Sequence, residues 1–132
     1  MKLNVNKETI TIENKIYNLD AIDFILYNGK IRLYKNDGTI ESVCGSFTAE
    51  QRQLCFLDVA YAISSINGNF LRLDNKTLLN LNNVKNLNET TNGIILITKN
   101  FELQLNNLDE GTLYKINDKI ADNKLMSDAI LL

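Results

Sequence analysis

The dipeptide Asn-Gly occurs three times, at 28–29, 67–68 and 92–93, and its placing limits the fold more than any other feature of the chain. Both residues accept a positive φ at low cost, so Asn-Gly between two β-branched and aromatic runs marks a tight hairpin. Asn28-Gly29 separates residues 22–27 from 30–34, and Asn92-Gly93 leads into 94–98. Asn36-Asp37-Gly38 marks a further turn before 39–44. Residues 2–5 and 9–13 alternate in period two, with Ile10 and Ile12 on one face and Thr9 and Thr11 on the other. A turn at Asn14-Lys15 is expected to lead into a strand at 16–19. The first third of the chain therefore reads as an antiparallel meander.

The texture changes at Thr48-Ala49-Glu50-Gln51, a capping-box sequence in which the Thr hydroxyl and the Gln amide each satisfy a backbone donor of the other. Beyond it, Phe56, Val59, Ala60, Ile63 and Ile66 recur on one helical face. Asn67-Gly68 is a stop signal, since both residues tolerate a left-handed backbone. One helix of about 18 residues, lying against the sheet, is expected over 49–66. Strands then return at 70–72, 77–81, 84–87, 94–98 and 101–105, with turns at Asn82-Asn83 and Lys99-Asn100. A short C-terminal helix is expected to start near Asn107 or Asp109 and to bury Leu113, Ile116 and Ile120, with Gly111 weakening it by about 1 kcal/mol relative to alanine. The expected class is α+β, mainly β: antiparallel hairpins, one central helix and a short C-terminal helix, in a single domain over 1–132.

Composition narrows the chemistry. The chain has no histidine, which removes Ser-His and Cys-His nucleophile pairs, histidine general bases and imidazole metal sites. Cys44 and Cys55 have no second pair, so neither a zinc site nor a CxxC motif is available, no disulfide framework is expected, and both are expected to be buried structural residues. No metal, no cofactor and no enzymatic activity are expected. No apolar run approaches the roughly 18 residues of a membrane helix, and the opening MKLNVNKETI lacks an apolar core, so a cytoplasmic location is expected. Asparagine makes up about one residue in seven, which supplies many turn-competent positions.

Formal net charge is −2. Binding to nucleic acid depends on where the positive charge sits rather than on the sum. Residues 68–100 carry Arg72, Lys76, Lys85 and Lys99 against Asp74 and Glu89, and form the one locally positive segment. Residues 101–132 are acidic and would repel phosphate.

One stretch resembles a known family. The run Phe70-Leu71-Arg72-Leu73-Asp74-Asn75-Lys76-Thr77-Leu78-Leu79-Asn80 aligns without a gap to the segment of LytTR (LytR/AlgR-type) DNA-binding domains in which an aromatic pair leads to Arg, an apolar residue, His, a variable residue and Ser, then hydrophobics and Asn. Val84 stands where that family has Ile or Val, and residues 94–100 resemble its next strand and turn. The likeness covers roughly residues 10–120. Asp74 stands at the family's His, Lys76 at its Ser, and Leu105-Asn106-Asn107 replaces its Ser-Arg.

The resemblance implies a stand-alone transcription regulator that binds duplex DNA through loops at strand ends, unlike helix-in-groove modules. It places contacts at the turn after Tyr27, at 72–76, and at the turn near Asn106-Asn107. Asn75 would pair with a base, as an Asn amide can with adenine, while Arg72 and Lys76 would meet phosphates. Lys30 and Arg32, beyond the Asn28-Gly29 turn, are further phosphate candidates. Each residue also has a plainer reading. Asn75 suits a turn, Arg72, Lys76, Lys30 and Arg32 suit a solvated surface, and Asp74 with Lys76 suits a weak local ion pair. Asn80 is expected to bond backbone at a bend, and Asp20 and Asp23 are given no catalytic role. Tyr61 and Leu57, if exposed, would extend the helix stripe to a partner surface, and the paired sites at which the family commonly acts imply a weak dimer on DNA. A second functional class is thus a DNA-binding-deficient protein acting by protein contact, as an antagonist or adaptor.

Overall fold

The computed structural model describes residues 3–131, with side chains through residue 125. In chain order the strands are β1 (Leu3–Val5), β2 (Thr9–Ile12), β3 (Lys15–Asn18), β4 (Ile22–Tyr27), β5 (Ile31–Lys35) and β6 (Ile40–Val43). Helix α1 (Ala49–Ile66) follows, then β7 (Phe70–Asp74), β8 (Thr77–Asn80), β9 (Asn86–Thr90), β10 (Gly93–Ile97), β11 (Glu102–Leu105) and helix α2 (Glu110–Leu131). Single 3-10 turns at Leu19–Ala21 and Leu81–Asn83 link β3 to β4 and β8 to β9. The mainly-β, α+β class expected from the sequence is the one observed. Residue 2, expected to open the first strand, lies outside the described residues.

The strands form three antiparallel sheets, in the orders β1-β2-β3, β6-β5-β4-β8-β7 and β11-β10-β9. The five-stranded sheet divides two cores, because successive residues of a strand face opposite sides. Ile25, Ile31, Leu33 and Leu78 join the β1–β3 sheet and α1 in one core. Phe24, Leu79 and, at its margin, Leu26 and Tyr34 join the β9–β11 sheet and α2 in the other. The Asp23 position is a bulge between the Ile22 and Phe24 pairings.

Helix α1 starts as its sequence directs. The Gln51 N–H donates to Thr48 Oγ1 at 3.2 Å, and the Thr48 N–H donates to Gln51 Oε1 at 2.9 Å. Cys55, Phe56, Val59, Ala60 and Ile63 are its buried face. Ile66, expected on that stripe, is exposed at the last residue of the helix. The stop at Asn67 also differs from expectation. Asn67 is extended (φ −123°) rather than left-handed, and its amide acts instead: Nδ2 donates to the Lys7 carbonyl and Oδ1 accepts from the Asn69 N–H. Helix α2 buries Ile116 and Ile120 and half-buries Leu113, then continues well past Ile120.

Several expected boundaries move, among them β7, which runs to Asp74 rather than Arg72, and β10, which opens at Gly93. The β2–β3 turn is centred on Glu13-Asn14 (φ 51° and 69°), one residue earlier than Asn14-Lys15. Lys30 belongs to the β4–β5 turn, not to the strand, because Tyr27 pairs with Ile31. Residues 84 and 85 precede β9, and Val84 is buried directly after the 3-10 turn.

A polar cluster ties the first sheet to the central one. Glu41 on β6 accepts from Lys15 Nζ at 2.8 Å, from Lys35 Nζ at 2.9 Å and from the Tyr17 hydroxyl. Lys15, then Tyr17 and Lys35, hold the Glu41 carboxyl down at about 2. Burial and Glu41 together push the Tyr17 phenol up. A carboxyl held below its unfolded value stabilises the fold above that unfolded value, and the contribution disappears as pH falls through about 2. The cluster is partly solvated, so Glu41→Gln is expected to cost about 1–2 kcal/mol at pH 7 after discounting for screening. Urea melts at neutral pH and near pH 2 check this: the gap between the two chains should close in acid. An equal gap at both would show that charge is not the cause.

Candidate nucleic-acid interface

The β4–β5 turn is a three-residue loop, Asn28-Gly29-Lys30, that closes with Gly29 at φ 75° and the Asn28 N–H donating to the Lys30 carbonyl at 3.1 Å. It is held from two sides. Arg52 in α1 donates from Nε to the Gly29 carbonyl at 2.7 Å and from Nη1 to the Phe47 carbonyl. The Tyr27 hydroxyl donates to the Ala49 carbonyl at 3.3 Å, and the Tyr27 N–H donates to the Lys76 carbonyl at 2.8 Å. The last bond couples this turn directly to the next.

The β7–β8 turn carries Asn75 and Lys76, both exposed. Asp74 Oδ1 accepts from the Lys76 N–H at 2.8 Å, an Asx-type turn that uses the carboxylate locally. The ion pair expected between Asp74 and Lys76 is replaced by this backbone bond. Arg72 Nη1 donates to Asn75 Oδ1 at 3.3 Å, so the guanidinium orients the amide. A bulge between the Arg72 and Asp74 pairings bends the strand ahead of the turn.

The third segment is the end of β11. Leu103 and Leu105 point into the core while Gln104 and Asn106 are exposed. Together the three segments border a groove of about 470 Å³, with Tyr27, Asn28, Asp74, Lys76, Gln104 and Asn106 on its walls. A second groove, of about 300 Å³, continues past Asn106 to Thr91, Asn107 and Glu89. Beside it, Asp109 accepts from the Thr112 N–H at 2.7 Å at the start of α2, and that bond draws its carboxyl below the usual range.

Of the residues singled out from sequence, Lys76 lines the first groove, Asn75 adjoins it in the same turn, and Lys30 adjoins it beside Asn28. Arg72 stands back from the groove, bonded to Asn75. Arg32 lies within β5, paired with Leu26 and Ser42 and half-buried, and is not on the groove wall. Arg52, which sequence reasoning passed over, fixes the β4–β5 turn. The Gly29 carbonyl it holds is 23 residues away in sequence, and no local pattern announces that bond.

Two further expectations concern nearby polar groups. Asn80 bonds backbone at a bend as expected, with Nδ2 donating to the Ile22 carbonyl at 3.0 Å and Oδ1 accepting from the Asn82 N–H. Asp23 is buried and accepts from Asn83 Nδ2 at 3.0 Å. Burial pushes its carboxyl up, against the opposing pull of Thr98, Asn83 and Lys85. On α1, Tyr61 is exposed, whereas Leu57 packs against the core.

The groove presents amide donors and acceptors, one lysine ammonium, backbone groups and the Asp74 carboxylate, which is bonded to the Lys76 N–H. That inventory suits hydrogen bonding to base edges and phosphates. No described helix is long and apolar enough to cross a membrane. Comparisons of the chain with protein-family models, with curated proteins and with solved structures found no match.

Proposed function

We propose that this chain is a LytTR-like, non-enzymatic transcription regulator of the cytoplasm that binds duplex DNA through turns at one end of its sheets. The observation that carries the reading is the meeting of three separate segments around one groove: the turn after Tyr27, the Asn75-Lys76 turn, and the end of β11 at Asn106. These are the three places that the resemblance implies. Lys76 and Lys30 contact phosphate, Arg72 steadies Asn75, and the Asn75 amide reads a base edge.

The test is fluorescence anisotropy with duplex taken from just upstream of the coding region, against random duplex, at low and physiological salt. Affinity should fall with salt with a log–log slope of about −2 for each bound chain, since two lysines meet phosphate. The double variant Lys30→Glu, Lys76→Glu should lose binding to both duplexes by about tenfold or more and flatten the slope. Asn75→Ala should reduce the preference for the upstream duplex more than it reduces total affinity. No binding at low salt would overturn the reading.

A second reading is favoured by one specific observation. Leu54 and Tyr61 stand exposed on α1, seven residues apart and hence on one helical face. On that reading the chain acts through protein contact along α1, as an antagonist or adaptor. Loss of partner capture in Leu54→Glu with unchanged DNA binding would support it.

A further inference from the structure

The two cysteines meet. Cys44 Sγ, just after β6, lies 3.5 Å from Cys55 Sγ in α1. We propose that Cys44 and Cys55 are a dithiol that closes to an intramolecular disulfide within the folded chain when a small-molecule disulfide reaches the groove beside α1.

Three features of the fold support this. The sulfurs need to approach by about 1.5 Å to reach bonding distance, a shift within the range of side-chain rotation. Cys44 is held in place by its own backbone: it adopts φ 59°, a left-handed conformation uncommon for cysteine, and its N–H donates to Glu13 Oε1 at 2.6 Å. Such strained positions persist where surrounding structure over-determines them. Access comes from the other sulfur. Cys55 lines a groove of about 370 Å³ together with Leu3, Phe47, Gln51, Leu54 and Asp58. Cys44 is more deeply buried.

The order of events follows from that difference. The Cys55 thiolate attacks one sulfur of the oxidant, forming a mixed disulfide and releasing one thiolate. The Cys44 thiolate then attacks the Cys55 sulfur, the Cys44–Cys55 bond forms, and the second thiolate departs. Two electrons pass from the protein pair to the oxidant, and the two protons leave with the departing thiols. Burial pushes both thiols up, so closure is slow at neutral pH and speeds as pH rises. Asp58 on the groove wall favours a cationic oxidant over an anionic one.

Cystamine is therefore the probe, applied to the full chain at mildly alkaline pH without denaturant, with intact mass and circular dichroism followed together. The expected product is lighter than the reduced chain by two hydrogens, with an unchanged spectrum and a 44–55 cross-link in the peptide map. Cys44→Ser should stop at the mixed disulfide on Cys55, and Cys55→Ser should react far more slowly. A mass that does not change, a mixed disulfide that persists in the parent chain, or closure only in urea or with loss of the native spectrum would each overturn the proposal.

Discussion

Gly93→Ala is expected to destabilise the chain by about 3 kcal/mol or more, through backbone strain and overpacking together. Gly93 opens β10 at φ 141°, a conformation that L side chains rarely adopt. A Cβ there would stand 2.2 Å from the Leu105 carbonyl oxygen and 2.9 Å from that of Asn106. Both obstacles are backbone, so no side-chain rotation relieves them. Either β10 separates from β11 at its start or the chain at 105–106 shifts. For a chain of this size the loss corresponds to a fall in Tm of about 10 °C. Urea melts give the direct comparison, and a midpoint shift worth under about 0.5 kcal/mol would refute the close-approach argument. The same shift moves Asn106, which borders both grooves, so on the proposed reading any folded Gly93→Ala protein should also bind duplex more weakly than its residual stability accounts for.

Gly93 also shows where sequence reasoning stops. A hairpin near Asn92-Gly93 was legible, because turn chemistry is local, although the turn residues are Thr91-Asn92 and Gly93 already pairs with Thr90 in β10. The close approach of β11 behind it was not, because that contact is made across the sheet. The same division runs through the molecule. Thr48 and Gln51 announce the start of α1 because both partners of the capping box lie within one turn. Asn67 looked like a left-handed stop, yet its amide is held by Lys7, 60 residues away, and the backbone stays extended. Val84 read as a strand residue because it is apolar, whereas its burial comes from the chain passing over the core before β9 begins. At the candidate interface, the three segments could be named from the resemblance. That Arg32 stays on its strand while Arg52 anchors the Gly29 carbonyl depends on pairing register and helix placement, neither of which a local pattern carries.

Phe24→Ala should be more damaging still, costing about 3–5 kcal/mol, because it removes the ring that joins two sheets. Phe24 follows the bulge at Asp23 in β4 and is fully buried. Its ring stacks on Tyr34, 4.5 Å between centroids, and meets Phe101 edge-on at 6.0 Å. Tyr34 in turn meets Phe101 at 5.1 Å. Phe24 and Tyr34 belong to the central sheet, and Phe101 stands just before β11, so the triad fastens the β9–β11 sheet to the five-stranded one. Nearby, Asn100 Nδ2 donates to the Asn36 carbonyl at 2.6 Å, a polar link across the same seam. Truncating Phe24 leaves a cavity that neither ring can fill without giving up its own packing. Phe24→Leu, which keeps most of the volume and loses the ring contacts, should fall between parent and alanine. The distinguishing measurement is native-state hydrogen exchange. In Phe24→Ala, amides of β10 and β11 should lose more protection than those of β2 and β3, since the other core does not contain Phe24. Uniform loss across both cores would mean that the sheets unfold as one unit and that the triad is not a separate seam. If the proposed reading holds, the spacing between Lys76 and Asn106 is set across this seam, and the folded fraction of Phe24→Leu should show weakened preference for the upstream duplex.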